Sequence, residues 1–195
     1  CGVEIRGVHE GPANTVLVGL RGLVGQLFRE DNVHKIRRGL AGRVKQGLSA
    51  GGAAYGYHAD PAKKGGLVVN DLEAEVVRRI FDEFIEGSSP RAIASRLNRE
   101  GIRPPRGKNW NASTLNGNQA RGTGMIGNEL YNGRLVWNKV RMVRDPDTGR
   151  RLSRTNPNDQ REVASVPEYR IVPEDVFDRV SRIRTAGRRE RPEFS

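Results

Sequence analysis

The feature that most limits how this chain can fold is a helical pattern running from about Asn14 to about Gln46. Val16, Leu20, Leu23, Leu27, Phe28 and Ile36 keep helical spacing along it. A helix of about 30 residues is about 45 Å long at ~1.5 Å per residue. That exceeds the thickness of a small domain, so one end must project or pack on a partner. The run is apolar in its first half and basic in its second. Gly19, Gly22 and Gly25 lower its helix propensity. They either admit close approach of another helix or are tolerated, and the spacing favours neither.

A Gly-rich stretch follows, with Gly47, Gly51, Gly52 and Gly56 among small Ser and Ala. Its composition is that of a linker or extended arm, and it predicts a domain boundary at 47–56. Tyr55 and Tyr57 close it; they either pack on the first helix beyond or lie along a groove, and packing is expected for one of them. Leu67–Val69 reads as a short strand. Asp71 then caps a helix to Glu86 whose apolar side is Leu72, Val76, Val77, Ile80, Phe81, Phe84 and Ile85; Gly87 stops it. Ser89 caps a second helix with Pro90 at its first position, Ile93 and Leu97 inward, and Gly101 at its end. After the loop Ile102–Trp110, a third short helix runs from Asn111 or Ala112 to about Arg121, with one more turn at 126–131. Arg134–Val143 and Glu162–Val166 read as strands joined by a long exposed connection, 144–161. Pro173 starts a last helix with Val176, Phe177, Val180 and Ile183 on one face. Residues 187–195 form a polar tail expected to fray. At the other end Val3, Ile5 and Val8 mark a short strand broken by Gly11 and Pro12. The fold class is α+β, mostly helical: a long helix, then a helix-turn-helix-like domain with a β-hairpin.

Composition removes several functions. No apolar run approaches ~20 residues, so nothing spans a membrane. The single cysteine, Cys1, forms no internal disulfide and no Cys-rich zinc site, and this fits a reducing cytosol. His9, His34 and His58 have no metal-ligand spacing, so no metal is assigned. Glu73, Glu75, Asp82 and Glu83 read as a solvated helix face, not as paired catalytic carboxylates. Trp110 and Trp137 read as core or packing shelves. Because the chain opens on Cys1 directly before a strand-like run, it is expected to be a piece of a longer protein.

The 195 residues hold 34 Lys and Arg against 23 Asp and Glu, a net charge of +11 rich in arginine, whose planar fork matches phosphate oxygens. The cations cluster in three tracts, 21–45, 89–122 and 134–154, which points to one long polyanion touched by several elements. Residues 89–121 have the layout of a helix-turn-helix with a lengthened turn. The third helix offers Ser113, Thr114, Asn116, Asn118, Gln119 and Arg121, side chains that can hydrogen-bond base edges, with Arg106 and Lys108 beside them. The plainer reading is a polar helix that caps the core. Arg37, Arg38, Arg43 and Lys45 on the long helix, and Lys139 and Arg141 on the first strand of the hairpin, join the candidate contacts. Gly51 and Gly52 are placed as an extended arm crossing a minor groove between the two parts.

Several segments together are familiar. Lys35-Ile-Arg37-Arg38-Gly39-Leu and Gly51-Gly52-Ala-Ala-Tyr55-Gly56-Tyr57 resemble the large serine recombinases. So do Val77-Arg-Arg-Ile80-Phe81-Asp-Glu-Phe84, Ser89-Pro90-Arg-Ala-Ile93-Ala, Leu97-Asn98-Arg-Glu-Gly101-Ile102, Trp110-Asn-Ala-Ser113-Thr114 and Asn128-Glu129-Leu130-Tyr131-Asn-Gly133-Arg134-Leu-Val136-Trp137-Asn138. The resemblance covers nearly the whole chain and implies an organisation. Residues 1–46 would be the end of a resolvase-like catalytic domain with its long dimerisation helix, 47–56 a linker, 57–186 the recombinase DNA-binding domain and 187–195 a tail. It implies double-stranded DNA as partner, a homodimer through the long helix, a synaptic tetramer, no cofactor, and a bacterial or phage enzyme working in the cytoplasm. The family cuts and rejoins DNA through a phosphoserine link, which conserves the bond energy. Its nucleophilic serine and main active-site arginines lie upstream, and no position here matches them. No catalytic residue is therefore assigned, and the chain alone is expected to form no covalent DNA adduct. A regulator that binds DNA without chemistry is the rival reading; an RNA-binding protein is weaker, because no aromatic stacking motif is present.

Overall fold

A computed structural model describes residues 6–7, 11–12 and 15–189. The chain divides into two units, Cys1–Gly42 and Arg43–Ser195.

In the first unit Arg6–Gly7 (β1) pairs antiparallel with Gly11–Pro12 (β2). Gly11 and Pro12 therefore belong to a strand where the sequence suggested only a break; proline is tolerated at the edge of a two-stranded pair because it has no N–H to leave unpaired. Val3, Ile5 and Val8 lie outside the described residues, as do Cys1 and His9. The long helix is Thr15–Lys45 (α1), close to the predicted span. Leu20, Leu23, Leu27, Phe28 and Ile36 are all more than half exposed on it. A Cβ at Gly19, Gly22 or Gly25 would meet nothing within 4 Å, so these glycines serve no close approach among the described residues.

The second unit takes in the last residues of α1, with Val44 fully buried. Tyr57–Ala59 (β3) pairs antiparallel with Leu67–Val69 (β4). Asp71–Ile85 (α2) follows. Its N-cap is Asn70, and Asp71 is its first residue, where a carboxylate favours the positive end of the helix dipole. Ala74, Val77, Ile80 and Phe81 are buried, but Leu72, the second residue of the helix, is 77% exposed, because helical spacing sets it off the stripe of Ala74, Val77 and Phe81. Pro90–Arg99 (α3) starts as expected: the Ser89 hydroxyl accepts from the Ala92 N–H at 3.2 Å, and Pro90 opens the first turn. Ile93 and Leu97 are fully buried.

The predicted third helix is cut short. Ala112–Asn116 (α4) is a single turn, and a separate 3-10 turn covers Gln119–Arg121. Gly117 divides them, with φ +59°. A Cβ there would collide with the Thr123 carbonyl and the Gly124 nitrogen. A Cβ at Gly124 would in turn lie 2.5 Å from the Asn116 carbonyl carbon. Two glycines thus let the chain fold back against its own helix end. Met125 N–H donates to Thr114 O and Ile126 N–H to Leu115 O, which fixes the doubled-back strand of chain.

A 3-10 turn at Glu129–Asn132 leads into Arg134–Trp137 (β5), Val140–Arg144 (β6), Arg151–Thr155 (β7) and Glu162–Ser165 (β8). β5 pairs with β8, and β6 with β7. The predicted strand Arg134–Val143 is therefore broken after Trp137 into β5 and most of β6, and the expected exposed connection 144–161 supplies β7, so a hairpin is nested between β5 and β8. Glu174–Arg189 (α5) closes the unit and reaches three residues into the expected tail. Phe177 and Val180 are buried, whereas Ile183 is 38% exposed, past the end of the core.

One core joins α2, α3, α4 and α5. Phe81 is its centre, stacked on Phe177 at 5.9 Å and edge-on to Tyr131 at 6.1 Å. The Tyr57 hydroxyl donates to Tyr169 O at 2.6 Å, and the Tyr131 hydroxyl to Tyr55 O at 2.9 Å. Burial pushes both phenols up, so both remain donors. Both tyrosines that close the Gly-rich stretch are packed: Tyr57 is buried, and Tyr55 lies edge-on to Trp110 at 5.2 Å.

Candidate nucleic-acid interface

The Gly-rich stretch belongs to the second unit and is tied down at both ends. Ser49 is buried, and its N–H donates to Gly65 O at 2.7 Å. Gly56 is held by its N–H to Glu73 Oε2 at 2.7 Å and by its carbonyl to Asn70 N–H at 2.9 Å. Between these anchors Gly51, Gly52 and Ala53 are exposed, and a Cβ on either glycine would meet nothing. The stretch is a short loop with an open crest, not a free tether, and the division between units falls before it.

Tyr55 places that loop beside Trp110, the residue two before α4. Trp110 is itself fixed. Asn98 turns both ends of its amide onto it, accepting from Trp110 N–H at 2.7 Å and donating to Trp110 O at 3.0 Å, while Trp110 Nε1 donates to Ile102 O at 2.9 Å. Asn98→Ala removes two hydrogen bonds and is expected to cost about 2 kcal/mol. The loop 102–110 should then be cut faster in limited proteolysis, with Asn98→Asp, which keeps the acceptor, falling between.

Two grooves border α4, and a third borders the 3-10 turn after it. One of about 340 Å³ is lined by Ala54, Tyr55, Pro105, Thr114, Thr123 and Asn128, so the end of the Gly-rich loop, Pro105 of the basic loop and Thr114 of α4 share one groove. A second, of about 520 Å³, lies between α3 and α4 and carries Arg91, Arg99, Asn98 and Asn111. The third, of about 360 Å³, is lined by Arg121, Arg134, Lys139, Arg161 and Arg184 against Glu129 and Asp178. Gly122 lines both the first and the third, so these two adjoin.

The predicted contacts separate on this surface. Arg106, Lys108, Ser113, Asn116 and Arg121 are exposed around α4, and Thr114 is half-buried. Asn118 is exposed, but its Oδ1 accepts from Arg121 N–H at 3.0 Å and shapes the turn. Lys139 is half-buried in the basic cleft, 3.5 Å from Glu129. Arg141 stands exposed on β6. Lys45 is exposed, 3.7 Å from Glu162. Arg43 is half-buried, with its guanidinium packed over Gly65. Arg37 and Arg38 are exposed on α1 in the first unit.

Two acids beside α3, Glu83 and Glu100, are consumed internally. Glu83 is not on a solvated face: it accepts from Arg79 at 2.8 Å and from Arg96 at 2.7 Å. Arg79 also binds Glu100, at 2.7 Å through Nη2, and holds that carboxyl below its ordinary range. Arg96, counted in the basic tract, is thus spent on the fold. Arg91, Arg99, Arg103, Arg106 and Lys108 make no ion pair among the described residues. Sequence reasoning missed Arg184, whose Nη2 donates to Asn116 O at 2.9 Å and caps α4. Burial lowers its pKa from the usual arginine value. Only its place among polar residues near the end of α5 could have hinted at it. Among the described residues no three His, Cys, Asp or Glu side chains gather as a metal site, and no helix is long and apolar enough to cross a membrane.

A family model described as Recombinase matches residues 71–186, from the first residue of α2 into α5. No curated protein and no solved structure matches the chain.

Proposed function

Because the chain belongs to the Recombinase family, we propose that its second unit is the duplex-DNA-binding part of a site-specific serine recombinase. The observation that carries this reading is the shared surface around α4. There Ala54 and Tyr55 of the Gly-rich loop, Pro105 of the basic loop and Thr114 of α4 line one groove. Through Gly122 it adjoins the cleft of Arg121, Arg134, Lys139, Arg161 and Arg184. Gly51, Gly52, Arg106, Lys108, Ser113 and Asn116 are exposed on the same segments, and Glu83 and Glu100 are held in ion pairs. Phosphate contact falls to the arginines and lysines, and they set register and affinity. Base contact falls to Ser113 and Asn116 on the exposed side of α4. The glycine crest, with no side chain to obstruct it, approaches the backbone of the minor groove.

The first unit supplies a helix for a second copy of the chain. Leu20, Leu23, Leu27 and Phe28 are spaced three, four and one residues apart and are all exposed, which supports helix-to-helix packing. Strand cleavage is assigned to the family's serine, which no position of this segment matches.

The test is titration of the chain against a 40-base-pair duplex of mixed sequence. Affinity should fall by about a thousandfold between ~50 and ~200 mM salt if roughly six phosphates are contacted. Binding that ignores salt would contradict the reading.

A further inference from the structure

β6 and β7 pair with each other alone among the described residues. Their register sets Arg141 directly opposite Arg154, and Arg144 directly opposite Arg151. Opposite residues share a face and the faces alternate along a strand. One arginine pair therefore lies on each face of the ribbon. All four are exposed, and none makes an ion pair among the described residues. Like charges directly opposite destabilise an antiparallel pair, and this ribbon has no third strand to offset the cost.

The root of the ribbon is nonetheless firmly built. Asn138 turns the chain out of β5 with φ +61°, a conformation asparagine tolerates better than most residues. Its carbonyl and its Oδ1 both accept from Asn156 Nδ2, at 2.8 and 3.0 Å. Arg161 donates twice to Asn156 O, at 3.1 and 2.8 Å. The hairpin is fixed at its root, β7 runs beside the 3-10 turn Gln119–Arg121, and the arginine pairs repel along its shaft.

We propose that β6–β7 is an arm that lies in the major groove of duplex DNA, its two arginine pairs reaching the phosphates of both walls. This rests on the duplex-binding reading above and adds a second grip to it. A ribbon meant for one flat acidic surface would need charge on one face; a groove has a wall on each side. The major groove, about 12 Å wide, admits a two-stranded ribbon, and the minor groove, about 6 Å, does not. The pairs stand three residues apart, roughly 10 Å along the strand. The tip is not the contact: Asp145 and Asp147 oppose Arg150 there, and Asp145 is occupied by the Thr148 hydroxyl at 2.8 Å and Asp147 N–H at 3.0 Å. The ribbon root adjoins the basic cleft through Lys139 and Arg161, so the arm continues a charged surface.

The test compares three chains on the same 40-base-pair mixed-sequence duplex: the chain itself, one carrying Arg141→Gln, Arg144→Gln, Arg151→Gln and Arg154→Gln, and one with lysine at these four positions. The glutamine chain should lose at least ~tenfold in affinity at 100 mM salt, and its log–log salt slope should flatten by about three to four. The lysine chain should keep the slope. Thermal melting of the glutamine chain should be unchanged or raised, because the like-charge pairs are gone. Equal slopes in all three chains would overturn the arm, whether the ribbon serves an acidic protein or nothing. If the unaltered chain fails to bind duplex at all, the duplex reading itself falls; normal binding with equal slopes removes only the arm.

Discussion

Alanine at Gly117 should remove about 3–5 kcal/mol of stability from the second unit, the sum of backbone strain and a forced steric shift. The backbone is at φ +59°, and the added Cβ would run into the Thr123 carbonyl and Gly124 nitrogen, main-chain atoms that cannot swing aside. Gly124→Ala should be similarly damaging, since its Cβ would sit 2.5 Å from the Asn116 carbonyl carbon. Gly107 is the comparison. It has φ +74° but open space around a Cβ, so alanine there should cost only about 1–2 kcal/mol of left-handed strain. Denaturant melts of the three variants give the ranking directly. Equal losses at Gly117 and Gly107 would mean that the fold-back at the end of α4 is not tight.

The second large effect is on DNA. Replacing Arg106, Lys108 and Arg121 together with glutamine should weaken duplex binding by about a hundredfold at 100 mM salt and flatten the salt slope by about two to three. All three side chains are exposed and border α4, so the fold should be untouched and melting unchanged. The matching control is Arg96→Gln. Arg96 is just as basic in the sequence, but it is tied to Glu83 and the Ser88 hydroxyl at 2.7 Å each. Its loss should lower stability while leaving the salt slope in place. A control that changes the slope as much as the triple variant would mean that charge alone, and not its placement, drives binding.

The contrast between Arg96 and Arg106 also marks how far the sequence could be read. Helix starts and stops were legible because they depend on local chemistry: Ser89 with Pro90 opens α3, and the apolar periodicity of α2 is written in Val77, Ile80 and Phe81. The general basicity of the face around α4 was legible too. What was hidden depends on contacts distant in the chain. Nothing local says that Gly117 must stop α4, because the obstacle is Thr123 and Gly124 folding back. Nothing local separates Arg96, spent on an acid thirteen residues away, from an arginine left open to solvent. The Gly-rich stretch read as a linker because glycine content reports freedom, whereas its anchors are Ser49 on Gly65 and Gly56 on Glu73. β7 was missed because Arg151–Thr155 holds one apolar residue, Leu152, and has no alternation to mark it, whereas β6 lies within the predicted strand Arg134–Val143 and only its separation from β5 was hidden.

Amide hydrogen exchange of the chain with and without the mixed-sequence duplex tests the central claim most directly. The account predicts slowed exchange at the exposed crest 51–53, at 103–122 through the basic loop and α4, and along β6 and β7. It predicts no change along the outward face of α2, where Asp71, Glu75, Asp82 and Glu86 are exposed and would repel phosphate. Protection confined to α2 and α5, or none anywhere at saturating duplex, would contradict the assignment of this surface to DNA.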